Sequence, residues 1–171
     1  KTNFYWANRE YQYYHIKPRV LIEEYLKSQD GGWPLDYKFW CFGGHLELIQ
    51  VANHARDIHL FYDTEWNMLD LYYREGLARP HVPKPMNLDE MMSIASRLSA
   101  PFDFVRVDLY NIDGKIYFGE FTFTPVGGGI KFQLESWDVK LGEKWKISSQ
   151  NRHVEHSAHL EDKIPRNRSA Q

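Results

Sequence analysis

The segment FDFVRVDLYNIDGKIYFGEFTFTP, residues 102–125, constrains the fold of this chain more than any other part of it. Two runs rich in aromatic and β-branched residues, 104–110 and 115–124, flank an Asp-Gly pair, and this pattern predicts a β-hairpin. Side chains alternate between the two faces of a strand. One face of the first strand is apolar, with Val105, Val107 and Leu109. The other face carries Phe104, Arg106, Asp108 and Tyr110.

The turn decides whether the polar residues of the two strands share a face. A two-residue turn at the Asp-Gly pair would set Asp108 opposite Gly119 and point Glu120 away from Asp108. A three-residue loop at 112–114 would instead set Arg106 opposite Glu120, with Asp108 diagonal to Glu120. The order Asn-Ile-Asp-Gly favours the three-residue loop, because Asn in the first position and Gly in the last are both preferred. We therefore predict that Asp108 and Glu120 lie on one face.

Two readings of this polar face remain open. Carboxylates in a diagonal cross-strand pair lie about 7–8 Å apart, near enough to share one divalent ion or a pair of ions. Oxygen ligands suit Mg²⁺, which usually takes one or two carboxylates together with substrate phosphates. Arg106 beside them suits a phosphoryl group in transfer. Alternatively, Arg106 and Glu120 form an ordinary cross-strand ion pair, which contributes little stability when exposed.

Two further elements complete a layered fold. A second hairpin is predicted for 37–51, where Gly43-Gly44 separates two strand-like runs. A helix is predicted for 87–99, since Asn87 is a favoured N-cap and Glu90 completes a capping box. Apolar residues recur there at helical spacing, namely Leu88, Met91, Met92, Ala95 and Leu98. Antiparallel strands packed against this helix give an α+β fold.

The remaining segments are short or polar. Residues 20–26 are predicted to form a short strand with a polar end, and residues 52–85 an irregular excursion. We expect 1–147 to form the folded region and 148–171, which has lost its aromatic residues, to be a disordered tail. That tail has three histidines spaced three apart, His153, His156 and His159. No carboxylate or cysteine accompanies them at fixed spacing.

Composition excludes several classes of protein. Twenty-one basic residues against 23 acidic ones give a net charge of -2 and no basic face for nucleic acid. The chain has one cysteine, Cys41, so an intrachain disulfide is impossible, and we expect a small buried side chain. No apolar run approaches the roughly 20 residues of a transmembrane helix. These features predict a cytoplasmic protein, with nothing to indicate an oligomeric state.

The hairpin and three other motifs together resemble a known family. RVDLYNIDGKIYFGEFTFTP is similar to the closing strands of ATP-grasp enzymes, which have an R-x-D strand, a turn with Gly, and then E-x-N-x-x-P. PRVLIEEYL, DYKFWCFGG and FYDTEWN extend the likeness to the TupA-like ATP-grasp family of teichuronopeptide and surface-polysaccharide biosynthesis. The resemblance covers roughly residues 3–147. It implies an ATP-grasp-like fold with ATP and Mg²⁺ as cofactors.

The resemblance assigns metal and phosphate roles to the polar face. Asp108 and Glu120 match the two acidic magnesium ligands of these enzymes. Thr122 stands where many of them have a third ligand, an Asn, so a hydroxyl replaces an amide oxygen there. Arg106 matches the arginine that contacts the phosphates and the acyl-phosphate, and Lys38 matches a basic residue near the phosphates.

The resemblance also implies a site for the nucleoside. Glu23 would accept from the adenine amino group, and Glu24 belongs to the same linker strand. The backbone near Tyr25 and Leu26 would contact the edge of the ring, and Asp36 matches the acid that contacts ribose. From the residues alone, Glu23 and Glu24 are equally well explained as the solvated end of a strand.

The implied activity is ATP-dependent joining of a carboxylate to an amine through an acyl-phosphate. The substrate would be a small molecule, a sugar acid or an amino acid, destined for a cell-surface polymer. Nothing before Val20 matches the strand with a phosphate-binding lysine, so we expect the resemblance to cover a C-terminal half and the chain alone to be a poor catalyst. Two alternatives remain: a non-catalytic nucleotide-binding or assembly module, and a glycosyltransferase-like protein of polysaccharide biosynthesis.

Overall fold

Five antiparallel strands form a single sheet at the centre of the chain. A computed structural model describes residues 3, 5–6, 10–28, 31–56, 58–73 and 77–147. The strands are β1 (Asp36–Phe42), β2 (His45–Ala52), β3 (His59–Tyr62), β4 (Phe104–Ile112) and β5 (Lys115–Thr122), in the spatial order β3-β2-β1-β4-β5. Two helices accompany them, α1 (Leu88–Ser99) and α2 (Glu135–Lys144), together with short 3-10 turns at Tyr11–Tyr13 and Pro125–Gly128. The predicted α+β fold is confirmed.

Helix α1 covers one face of the sheet. Its residues Leu88, Met91 and Ala95 are buried, and they pack against Phe39 and Val107 of the central strands. The helical stripe predicted this packing. The predicted capping box is wrong, because Asn87 occupies the N-cap position without a side-chain cap hydrogen bond. Its side chain instead donates to the Gly114 carbonyl at 2.8 Å and accepts from Asn111 at 2.6 Å, which ties the hairpin tip to the helix.

The opposite face of the sheet is divided in two. Its apolar half carries an aromatic core that α2 covers through Leu141: Trp40, Phe42, Leu48, Phe61, Leu71, Phe104 and Phe132. Its other half carries charged side chains, and neither α1 nor α2 covers it. Lys144 near the end of α2 pairs with Glu47 of β2 at 3.0 Å. The sheet therefore presents a polar surface directly beside a covered apolar one.

The turn between β4 and β5 differs from the prediction. Ile112 pairs with Lys115, so the turn has two residues, Asp113 and Gly114. Both have positive φ, 55° and 79°, as a type I′ turn requires. The predicted three-residue loop is wrong. A two-residue turn was expected to point Glu120 away from Asp108. This does not happen, because a bulge in β5 shifts the register by one residue.

The bulge lies at Gly119. Leu109 pairs with Phe118, whereas Asp108 pairs with Glu120, so β5 has one residue more than β4 at this point. An extra residue in one strand reverses the faces that later residues occupy. Glu120 and Thr122 are thereby returned to the face of Asp108 and Arg106.

Other segments confirm or correct the predictions one by one. The hairpin around Gly43-Gly44 is confirmed as β1 and β2, and Cys41 is a buried free cysteine. The strand predicted for 20–26 is wrong, since no strand forms there. The excursion 52–85 contains β3, which was not predicted. The tail 148–171 and its histidines lie outside the described residues. Among the helices that the structure describes, none is long and apolar enough to cross a membrane.

Candidate active site

The charged half of the open sheet face is built from three neighbouring strands. β1 contributes Asp36 and Lys38, and β4 contributes Arg106 and Asp108. Lys38 pairs directly with Asp108 across β1 and β4, and Asp108 pairs with Glu120 across β4 and β5. The positions are fixed by ladder hydrogen bonds on both sides of β4, so the side chains converge on Asp108.

Asp108 is the centre of this charged cluster. Its side chain is 2% exposed, and both of its oxygens accept charged hydrogen bonds. Arg106 donates through Nε to Oδ1 and through Nη2 to Oδ2, both at 2.7 Å. Lys38 Nζ donates to Oδ2 at 2.6 Å and also to Asp36. Burial would lower the pKa of Arg106, but the hydrogen bonds and charge of Asp108 outweigh it and raise that pKa. Two cations thus hold one buried carboxylate in place.

Asp36 has an unused acceptor. Its Oδ1 is buried and has no hydrogen-bond partner among the described residues, whereas Oδ2 accepts from Lys38. Burial raises the pKa of Asp36, and the negative charge of Asp108 adds to the effect, against the opposing effect of Lys38. A buried acceptor without a donor is unfavourable unless a ligand supplies one.

Glu120 and Thr122 form the exposed edge of the cluster. The Glu120 side chain is 64% exposed, and its Oε1 lies 3.5 Å from Arg106 Nη2. The Thr122 hydroxyl accepts from Arg106 Nη2 at 2.8 Å and donates to Glu120 Oε1 at 3.2 Å. Arg106 therefore touches all three residues to which the sequence assigned metal ligation.

The donor set suits magnesium. Residues directly opposite across antiparallel strands have Cβ atoms about 4.5–5.5 Å apart, closer than the diagonal pair that was predicted. Asp108 and Glu120 offer only oxygen, the ligand atom that Mg²⁺ prefers. In the part of the chain that the structure describes, no three His, Cys, Asp or Glu side chains group as a metal site. A magnesium ion here would complete its shell with water and phosphate oxygens, as it commonly does.

The N-terminal segment reaches the end of β5, which the sequence did not indicate. Thr124 donates to Glu10 at 2.6 Å, and Gln12 donates to Glu10 at 3.0 Å and to Thr124 at 2.9 Å. Burial raises the pKa of Tyr13, as do the charges of Glu10 and Glu120. The tyrosine thus lies near the exposed edge of the charged cluster. Neither periodicity nor a motif in 10–14 would have revealed these contacts.

The four residues predicted to line an adenine site are only partly connected to the cluster. Burial raises the pKa of Tyr110, and the charges of Asp36, Asp108, Glu120 and Glu23 raise it further, so Glu23 lies in the neighbourhood of Tyr110. Among the described residues, Glu24, Tyr25 and Leu26 make no hydrogen bond or ion pair to the cluster. The Tyr25 ring contacts Trp33 at 4.6 Å, and Trp33 stacks on His54 at 3.9 Å.

A cavity of about 220 Å³ adjoins the charged cluster on the apolar half of the same face. Trp40 lines it and pairs directly with Arg106 across β1 and β4. Thr124 also lines it, two residues beyond Thr122. The cavity was not predicted, because its outer wall comes from α2 and the turn at Pro125–Gly128.

An Arg-x-Asp strand is joined by a tight turn to a strand bearing Glu, which is the arrangement that the resemblance to ATP-grasp enzymes implied. The sequence model of one family within that class, described as TupA-like ATPgrasp, matches residues 1–146, and the chain belongs to this family. A search of curated proteins and a search of solved structures each found no match. Membership of the family supports an ATP-dependent, ligase-like function.

Proposed function

We propose that this chain carries the nucleotide and magnesium site of an ATP-dependent carboxylate–amine ligase. One observation carries the proposal: a buried Asp108, held by Arg106 and Lys38, stands directly opposite the exposed Glu120. Buried charges held by several hydrogen bonds are costly to assemble, so their presence on a surface favours a ligand-binding role.

Asp108 and Glu120 would hold Mg²⁺, with Thr122 beside them. Bound magnesium would neutralise phosphate charge at this edge. Arg106 and Lys38 are the cations next to the carboxylates, and both lie within hydrogen-bond distance of Asp108. In phosphoryl transfer, such cations stabilise the charge that spreads over the transferring oxygens. They also orient Asp108 before the nucleotide arrives.

Asp36 and residues 23–26 would hold the nucleoside. The buried Oδ1 of Asp36 has no donor among the residues that the structure describes, and a ribose hydroxyl would supply one. Glu23 would accept from the adenine amino group, with Glu24, Tyr25 and Leu26 lining the ring. Glu23 is near enough to raise the pKa of Tyr110, which supports a shared side for the nucleoside and the charged cluster.

The reaction would proceed in two steps. The carboxylate oxygen attacks the γ-phosphorus of ATP, the bond to the β-phosphate oxygen breaks, and ADP leaves an acyl-phosphate. The amine then attacks the carbonyl carbon, the C–O bond to phosphate breaks, and an amide forms. Starting from a carboxylate and an ammonium ion, the products are ADP, hydrogen phosphate, the amide and one proton. We propose a sugar acid or amino acid of cytoplasmic surface-polysaccharide synthesis as a substrate.

Metal-dependent nucleotide binding tests the proposal. Isothermal calorimetry with ATP and Mg²⁺ should show binding that disappears when a chelator removes the metal. Glu120→Gln should weaken binding by about tenfold or more, the scale of losses found around metal ligands. Glu90→Gln, an exposed residue of α1 on the other side of the sheet, is the matched control and should bind like the native chain.

Activity separates the enzyme from its alternatives. In a protein that joins this chain to the strand with the phosphate-binding lysine, phosphate release should require both a carboxylate and an amine when panels of sugar acids and amino acids are supplied. Mg-ATP binding without release across such panels would favour the non-catalytic nucleotide-binding module. Transfer from a sugar nucleotide without ATP hydrolysis would favour the glycosyltransferase-like alternative. Absence of nucleotide binding by the folded chain would contradict the proposal itself.

A further inference from the structure

Aromatic side chains form a large part of the wall of the cavity beside the charged cluster. Six aromatic side chains line it: Trp40, Phe42, Phe104, Phe123, Phe132 and Trp145. Several are in ring contact across the space, with centroids 6.1 Å apart for Trp40 and Phe132 and 5.1 Å apart for Phe104 and Trp145. Ligand sites are typically lined in this way, by apolar walls with a few polar groups.

The size of the cavity limits what it can take. An apolar cavity of about 150 Å³ accepts benzene, and sites for drug-sized ligands begin at about 300 Å³. At about 220 Å³, and open on one side, this cavity suits one ring or a comparable apolar group. A helix or an extended peptide would not fit into it.

The charge around the cavity favours a cation. Asp138 of α2 is the one charged residue in its lining. The adjoining charged cluster has three carboxylates, Asp36, Asp108 and Glu120, against two cations. Aromatic rings also attract cations through their faces. Asp138 would repel a carboxylate ligand and attract an ammonium ion.

The geometry points to this cavity as the site of the amine substrate, which would be a primary amine bearing an apolar or aromatic group of about one ring. The inference rests on the proposed ligase function and identifies the second substrate. Trp40 and Thr124 connect the cavity to Arg106 and Thr122, so an amine held here lies beside the place proposed for the acyl-phosphate. Asp138 would recognise the ammonium form before it loses its proton and attacks.

Three small probes separate the contribution of an aromatic ring to binding from that of a positive charge. Their binding is measured by NMR titrations that follow the tryptophan indole N–H signals. Phenethylamine has both features, phenethyl alcohol has the ring alone, and ethylamine has the charge alone. Phenethylamine should bind most tightly, about tenfold or more above ethylamine, because the ring leaves water for an apolar wall. Asp138→Asn should weaken phenethylamine about two- to fivefold, as for an exposed charge pair, and leave phenethyl alcohol unchanged.

Gly142→Leu adds an apolar side chain at the rim of the cavity with little risk to the fold. Gly142 lines the cavity, a Cβ there would meet nothing within 4 Å, and leucine favours helix. It should weaken both ring probes about tenfold or more. Val139→Leu and Glu143→Gln, exposed residues of α2 outside the lining, are the matched controls and should bind all probes normally.

The outcomes distinguish this inference from the proposed function. Hydrocinnamate binding as tightly as phenethylamine would overturn the assignment to the amine. Equal binding of phenethylamine and ethylamine, or no effect of Gly142→Leu, would overturn the cavity as a ring site. Either result combined with normal Mg-ATP binding leaves the ligase proposal standing. Ring binding in a chain that does not bind Mg-ATP would remove the ligase proposal and leave an apolar amine site.

Discussion

At the scale of single residues, Asp36 shows how a site can cost stability. Its carboxylate is largely buried, one oxygen has no donor within the described part of the chain, and burial raises its pKa above the ordinary value of 3.8. The folded chain therefore holds this proton more tightly than the unfolded chain does. The contribution of Asp36 to stability is most favourable below pH 3.8 and is lost as the pH rises through the raised value.

Asp36→Asn should remove this loss of stability at neutral pH. We expect the free energy of unfolding at pH 7 to stay equal or to rise by up to about 1 kcal/mol, and its decline between acid and neutral pH to flatten. Urea unfolding at pH 4 and pH 7 measures both. Asp70→Asn, at a side chain that is 80% exposed, is the matched control and should change stability by no more than about 0.5 kcal/mol. A clear loss of stability in Asp36→Asn at pH 7 would mean that its ion pair with Lys38 outweighs its burial.

At the scale of elements, the bulge at Gly119 decides whether the charged cluster forms. A Cβ on Gly119 would lie 3.0 Å from the Asp108 carbonyl oxygen and 3.2 Å from the Tyr110 ring. Gly119→Ala should therefore push β5 away from β4 and cost about 1–3 kcal/mol of stability, the usual effect of overpacking. Because Glu120 follows the bulge, the substitution should also weaken Mg-ATP binding.

Gly142→Ala is the matched control for that prediction. A Cβ there meets nothing within 4 Å, and alanine in a helix is more favourable than glycine by about 0.8–1.0 kcal/mol. Denaturant unfolding should show a loss for Gly119→Ala and a gain for Gly142→Ala, with calorimetry of Mg-ATP beside it. Native stability and native binding in Gly119→Ala would show that the bulge tolerates a side chain and does not set the site.

The elements also show where sequence reasoning succeeds. Alternation in β4 and helical spacing in α1 are strong because each element has one fully buried face. The prediction of the turn between β4 and β5 failed because Asn-Ile-Asp-Gly suits both loop lengths, and because a non-glycine residue, Asp113, adopts positive φ. Gly119 inside a strand was a signal of a bulge that went unused. Helix α2 buries only Leu141, so its sequence has no apolar stripe from which a helix could be predicted.

At the scale of the whole molecule, the two faces of the sheet are covered differently by the described helices. Helix α1 covers the first, and α2 covers only the aromatic half of the second. The cavity and the contacts of Glu10 depend on segments far apart in sequence, so no local pattern could predict them. The shared face of Arg106 and Asp108 was predictable from strand alternation, whereas Asp36 and Lys38 came only from the resemblance and Glu120 joins them only through the bulge. The path of residues 20–26 relative to that face was not predictable.

Binding of Mg-ATP should change residues 20–26 more than any other described segment. Val20, Leu21 and Ile22 are 68%, 81% and 93% exposed, and the segment has no strand partner. Exposed apolar side chains beside unpaired backbone gain most when a ligand covers them. If Glu23 and its neighbours hold adenine, hydrogen exchange of 20–26 should slow on adding Mg-ATP.

Helix α1 provides the control for the hydrogen-exchange experiment. Amides of α1, which pack on the far face of the sheet, should change only through the global stabilisation that any ligand confers, RT ln(1 + [L]/Kd). Mass spectrometry of exchanged peptides, with and without Mg-ATP, separates the local effect from the global one. Triphosphate with Mg²⁺ but no nucleoside should protect β4 and β5 without protecting 20–26. Protection of β4 and β5 by Mg-ATP, with unchanged exchange at 20–26, would show that the adenine binds elsewhere while the metal assignment to Asp108 and Glu120 still holds.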